Sequence, residues 1–172
     1  MEIVIRPVLR GSYEALSVDA ISCTYNMDGF TTMNSILVAY GLDREHFRKC
    51  AGMHEGSMFR TICHGDCNDK GPQVITASKT LRWDSEPGAT AEILAIADDE
   101  RRESLCMTHF MFIRGKFPVA AFEQSLRSVE SGQFRAYLRK IVVDVDERYY
   151  PQALGVHSRV TKIKNRSDSQ NV

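Results

Sequence analysis

The sequence has no apolar run approaching the roughly 18 residues of a membrane-spanning helix, and Met1 to Arg10 alternate with charges instead of forming the apolar centre of a secretory leader. Neither membrane insertion nor export is expected. Net charge is missing too: 22 basic residues balance 22 acidic ones, which excludes attraction of the whole chain to nucleic acid or anionic lipid. Any such contact must be local. Absent as well are the Gly-x-x-x-x-Gly-Lys-Ser/Thr loop and any paired-glycine turn from strand to helix, so nucleotide phosphates have no recognisable cradle. His54-Glu55 lacks the second histidine of a metalloprotease helix and the downstream Pro-Cys-x-x-Cys of a zinc deaminase. These absences predict a protein that is not an enzyme and needs no cofactor.

What is present is ordinary for a folded domain. With 172 residues, 43% of them hydrophobic and 26% charged, the chain suits one domain. A chain of this length buries roughly 70% of its unfolded surface on folding. Glu2 to Leu9 reads as a strand with Pro7 restricting it to a sheet edge or end. Tyr13 to Tyr25 fits a strand, with Leu16, Val18, Ala20 and Ser22 on one face, or a helix, with Leu16, Ala20 and Cys23 together, and the strand is the favoured reading. Thr31 or Thr32 caps a helix whose Met33, Ile36, Leu37 and Tyr40 share a face before Gly41, and Asp43 to Cys50 adds a further helical turn. Ser57 to Cys63 has strand composition, His64 to Pro72 is a loop, and Gln73 to Trp83 is a strand. The chain then turns at Asp84 to Gly88 and returns as the strand Ala89 to Ala97, with Asp98, Asp99 and Glu100 at the next turn. Leu105 to Ile113 alternates with both faces apolar, as in a covered central strand. Pro118 opens a helix through Val119, Phe122, Leu126 and Val129, and Phe134 to Val145 closes as a last strand. The expected class is α+β: a single domain, mostly antiparallel sheet with two or three helices packed on it. Residues 1–156 form the globular core, and 157–172 a basic, disordered tail.

The five cysteines are odd in number, which fits a reducing compartment. Cys50, His54, Cys63 and Cys67 supply four ligand types that suit zinc, but the eight-residue gap is not a usual zinc spacing, and buried cysteines serve equally well as small hydrophobes. Cys63 or Cys67 beside His64 is the least favoured alternative, a nucleophile with a base. Charge is segregated locally. Asp98, Asp99 and Glu100 form an acidic turn suited to self-association. Arg135, Arg139 and Lys140 make a candidate binding edge, and Arg159, Lys162, Lys164 and Arg166 a basic tail that also contains a short candidate nuclear-import cluster.

The block Gly88, Ala91, Glu92, Ile93, Asp98, Asp99, His109, Phe110, Lys116, Phe117, Phe122 and Leu126 resembles the C-terminal half of a rhabdovirus matrix protein, most closely the short plant-infecting members. The resemblance implies a structural protein of the virion and host cytoplasm that self-associates, condenses the nucleoprotein–RNA complex and links it to the envelope. Its implied partners are further copies of itself, the viral nucleoprotein–RNA complex, and an anionic membrane or glycoprotein tail. The seven basic residues above would meet RNA or membrane. The chain departs from that family in lacking a basic amino-terminal arm and the Pro-Pro-x-Tyr and Pro-Thr-Ala-Pro peptides. A zinc-stabilised interaction module or a silencing suppressor is the alternative.

Overall fold

A computed structural model describes residues 1–9, 12–24, 36, 38–41, 59–62, 72–77, 86–111, 113, 115–131 and 136–170. The strands are β1 (Glu2–Val8), β2 (Ala20–Thr24), β3 (Phe59–Ile62), β4 (Gln73–Ala77), β5 (Ser104–Met107) and β6 (Lys140–Asp146). The helices are α1 (Glu86–Asp99), α2 (Val119–Glu130) and α3 (Tyr150–Gln170). Among the described residues these strands form one sheet in the order β1-β6-β5-β2-β4-β3. Each pair is parallel except β3 with β4.

Side-chain alternation assigns the two faces. Ile5, Ala20, Ile75, Leu105, Met107, Ile141 and Val143 point to the side covered by Ile93, Leu94 and Ala97 of α1, Phe122, Leu126 and Val129 of α2, and Ala153, Val156 and Val160 of α3. Val8, Ile21, Val74, Cys106 and Val142 point the other way, beneath Tyr13 and Ile36 with Leu16, Val18 and Tyr40. A sheet covered on both faces needs central strands that are apolar throughout. In β6 every residue after Lys140 is buried. Phe110 meets Phe122 edge-on at 4.7 Å between ring centroids, a pairing that adds about 0.5–1.5 kcal/mol to simple burial.

The expectation of a mostly antiparallel sheet is corrected, and the error traces to Ala89–Ala97. Those residues are helix, not a return strand: Thr90, Ile93, Leu94 and Ala97 are buried together at helical spacing. A helical crossover between β4 and β5 carries the chain back to the starting edge, so its strands run parallel where a hairpin would have reversed them. The acidic turn therefore ends α1. Arg101 closes it in the left-handed region at φ 57°, with Arg102 N–H bonded to the Ala97 carbonyl at 2.9 Å.

Other expectations fare variously. β1 lies at a sheet edge, where Pro7 is harmless, and α2 begins after Pro118. The strand read over Leu105–Ile113 ends at Met107, and a short turn at His109–Met111 follows. The expected boundary between core and disordered tail is crossed by α3, which buries Val156 and Val160 on either side of it.

Candidate functional site at the carboxyl edge

Because β1, β6, β5, β2 and β4 are parallel, their carboxyl ends line one edge of the sheet. From β2 the chain proceeds to the β4 side, and from β5 to the β6 side. In strand order the connections from β2 and β5 thus lead to opposite sides, that from β2 passing outside the described residues after Thr24, and the cleft at such a divergence point is where open α/β sheets take ligands.

The described wall of that cleft consists of Thr108–Met111, Ile113 and Gly115–Pro118. Thr108 joins the two strands here: its N–H and its hydroxyl both donate to the Ser22 carbonyl, at 3.0 and 2.9 Å. The Ser22 hydroxyl is fully buried and has no hydrogen-bond partner among the described residues. Further along, Gly115 adopts φ 87°, which a side chain would resist, and a Cβ built there meets nothing within 4 Å. Lys116 is exposed beside it. The segment then feeds α2, whose N-terminus has no side-chain cap and no acidic residue in its first turn. An uncapped helix start presents N–H groups and partial positive charge to an anion.

The wall is anchored from behind. The Tyr149 hydroxyl donates to the Gly115 carbonyl, and the Phe117 ring stacks on Tyr149 at 5.6 Å and meets Phe122 at a tilt at 5.1 Å. Tyr149 belongs to the turn Glu147–Tyr149 after β6, where Asp146 accepts hydrogen bonds from the Arg148 backbone N–H and guanidinium.

A second polar group lies under the opposite face. Arg6 and Asp144 face each other across β1 and β6 and make a forked ion pair at 2.6 and 2.7 Å. The Cys106 thiol donates to Asp144 at 3.2 Å, the Tyr13 hydroxyl lies 3.7 Å from Cys106 Sγ, and Tyr40 follows. Burial pushes the Cys106 thiol well up, and the Asp144 charge adds to that. A thiol so held stays protonated, which suits packing rather than nucleophilic attack.

The acidic and basic residues singled out in the sequence lie elsewhere. Asp98 sits at the amino edge, where its carboxylate accepts N–H bonds from Tyr137 at 2.7 Å, Leu138 at 3.0 Å and Ala136 at 3.3 Å. Burial raises its pKa, but these three donors outweigh that and hold it below the usual carboxylate range. Asp99 and Glu100 are exposed at the same end. Arg139 and Lys140 share this edge, and Lys140 pairs with Glu2 at 3.7 Å. Arg159 pairs with Glu123 at 3.6 Å on the helical side. Lys162 is exposed on α3. Lys164 and Arg166 belong to the α3 backbone, Arg135 lies outside the described residues, and so do Cys50, His54, Cys63 (with its neighbour His64) and Cys67. Among the described residues no cluster of three or more His, Cys, Asp or Glu is placed to hold a metal, and no helix is long and apolar enough to cross a membrane.

Thr108, Gly115, Lys116 and Tyr149 were not anticipated as a site. Of this wall, the sequence marks Pro118 as a helix start.

No protein-family model and no curated protein sequence matches the chain. Solved structures do match. The macro domain of ganglioside-induced differentiation-associated protein 2 aligns with a TM-score of 0.64 and 15% identity, over 92% of this chain and 82% of that one. A Trypanosoma brucei macrodomain gives 0.66 and 16% over 90% and 66% of the two chains. The macrodomain of Thermus aquaticus DarG gives 0.59 and 11% over 83% and 97%. The Trypanosoma brucei protein also matches as its complexes with ADP and with ADP-ribose, each with a TM-score of 0.65. The fold is that of a macrodomain.

This overturns the resemblance to a rhabdovirus matrix protein. With it fall the virion-assembly role and the nucleoprotein–RNA, envelope and membrane partners, and the zinc-module and silencing-suppressor alternatives do not fit this fold either.

Proposed function

We propose that the chain is a macrodomain-type module that binds adenosine diphosphate ribose, free or carried on a protein, in the cleft between the carboxyl ends of β2 and β5. The observation that carries this reading is the cleft's position at the divergence point of a sheet whose fold neighbours include a macrodomain in complex with ADP-ribose. The chemistry of the wall supports it. A diphosphate needs N–H donors at close range and a nearby cation, and the left-handed Gly115, exposed Lys116 and uncapped start of α2 bring these together on one short segment. Binding is the property argued. Cleavage of the bond between ADP-ribose and an acceptor protein is a separate property of the same cleft, read by release of ADP-ribose from a modified protein.

Calorimetric titration with ADP-ribose tests the proposal. Saturable binding is expected, with a stabilisation of about 2.7 kcal/mol at a ligand concentration about 100 times the Kd. Absence of heat and of any melting shift at millimolar ADP-ribose would overturn it.

A further inference from the structure

The wall of the cleft is held by a chain of contacts that begins at a buried carboxylate on β6. Asp146 is 2% exposed, and its oxygens accept from Arg148 Nε at 2.8 Å and Nη2 at 2.7 Å. The guanidinium so fixed lies 5.3 Å from the centroid of the Tyr149 ring. The same ring stacks on Phe117, and its hydroxyl reaches the Gly115 carbonyl, 34 residues away in sequence. Phe117 and Pro118 are tied in turn to α2, through Val119 N–H to the Phe117 carbonyl and Phe122 N–H to the Pro118 carbonyl, each at 2.9 Å. The segment 115–118 is thus fastened at both ends.

Packing alone does not require a hydroxyl on Tyr149, since phenylalanine would stack as well. A donor is needed only to fix the peptide that follows a glycine, the residue with most backbone freedom to lose. Building on the ADP-ribose reading above, we infer that Tyr149 is a positioning residue: its hydroxyl holds the Gly115–Pro118 segment in its ligand-binding shape before the ligand arrives. A loop ordered beforehand loses less entropy when the diphosphate docks, and the difference appears directly as affinity.

The experiment compares the full chain with Tyr149→Phe, using Tyr137→Phe as a control at the amino edge. Three readouts are taken: calorimetric titration with ADP-ribose and with AMP, hydrogen exchange of the 115–117 amides in the free protein, and thermal melting. One lost hydrogen bond of this kind predicts a rise of about threefold to tenfold in the Kd for ADP-ribose. AMP, which lacks the diphosphate, is expected to bind Tyr149→Phe and the unaltered chain alike. Exchange at 115–117 should rise, the melting curve should remain cooperative, and Tyr137→Phe should match the unaltered chain throughout. Equal ADP-ribose affinity in Tyr149→Phe and the unaltered chain would overturn the positioning role while leaving the ligand reading intact, as would an equal loss toward AMP. If the unaltered chain binds no ADP-ribose, the ligand reading fails, and exchange at 115–117 still decides: a rise in Tyr149→Phe upholds the brace and no change refutes it.

Discussion

Replacing Arg6 by methionine removes one half of a buried ion pair and leaves the other half in place. Asp144 is 0% exposed and the Arg6 side chain 20%, so the carboxylate has given up its water and relies on the guanidinium fork and the Cys106 thiol. Burial lowers the guanidinium pKa, but the Asp144 hydrogen bonds and charge more than offset this and hold it above its ordinary value. Two unit charges about 4 Å apart attract by about 4 kcal/mol at an effective dielectric of about 20. That gain is largely consumed by dehydrating Asp144, so the intact pair adds little net stability, whereas an orphaned carboxylate is strongly unfavourable. Arg6→Met is therefore expected to lose about 3–5 kcal/mol. For a chain of this length the melting temperature should fall by about 6–20 °C. Adding Asp144→Leu should restore most of the loss, because the double variant has no charge left to orphan. Urea unfolding of the chain, the single variant and the double variant measures this. A single variant within about 1 kcal/mol of the starting chain would refute the reasoning, as would a double variant no more stable than the single one.

Two further outcomes concern the buried or bonded groups Asp98 and Cys106. Asp98→Ala strips three backbone amides of their acceptor and should lower stability by about 1–2 kcal/mol at neutral pH. Because the folded pKa of Asp98 is depressed, the stability it contributes is present above the ordinary carboxylate value and is lost as pH falls through the folded value. Denaturant unfolding of both proteins should thus converge below about pH 4, and a gap that persists or widens there would contradict the assignment. Cys106, buried and held protonated, should react with a thiol reagent at pH 8 only as fast as the sheet opens. Peptide mapping that finds it labelled within seconds in the folded protein would contradict this.

The sequence disclosed strands and helices wherever one face alone was wet or dry. β1, β4 and α2 lie where alternation or a helical stripe placed them, and residues 78–83 of the expected fourth strand lie outside the described residues. It misled at Glu86–Asp99, where Ala89, Ala91, Ile93, Ala95 and Ala97 alternate well enough for a strand. The same stretch places Thr90, Ile93, Leu94 and Ala97 on one helical face, and small alanines satisfy either period. That single misreading turned a parallel crossover into a hairpin, and with it the whole topology. The Arg6–Asp144 pair and the Tyr149–Gly115 bond join residues 138 and 34 positions apart, and no local pattern signals either. Charge drew attention to Asp98 and Arg139, whereas the described residues of the cleft wall include Thr108, Gly115, Lys116 and Phe117.

The two edges of the sheet divide the work between them, and the placement of the carboxylates explains why. At the amino edge, Asp19 accepts from Glu103 N–H, Ser104 N–H and the Ser104 hydroxyl, while Asp98 accepts from the 136–138 amides; each joins segments that lead into neighbouring strands of the sheet. Carboxylates saturated by backbone donors stabilise those turns and offer little to a ligand. At the carboxyl edge the described carboxylate of β6, Asp146, faces the protein and is neutralised by Arg148, and α2 begins with no acid at all. Among the described residues, an anion approaching the start of α2 meets amides and Lys116, and the exposed acid of that edge is Glu147 in the turn after β6. Introducing an acid at the start of α2, as in Val119→Glu, should therefore weaken ADP-ribose binding about tenfold or more while stability changes little, since Val119 is 42% exposed and a helix N-terminus tolerates an acid. Unchanged affinity in that variant would mean that the anion is bound elsewhere.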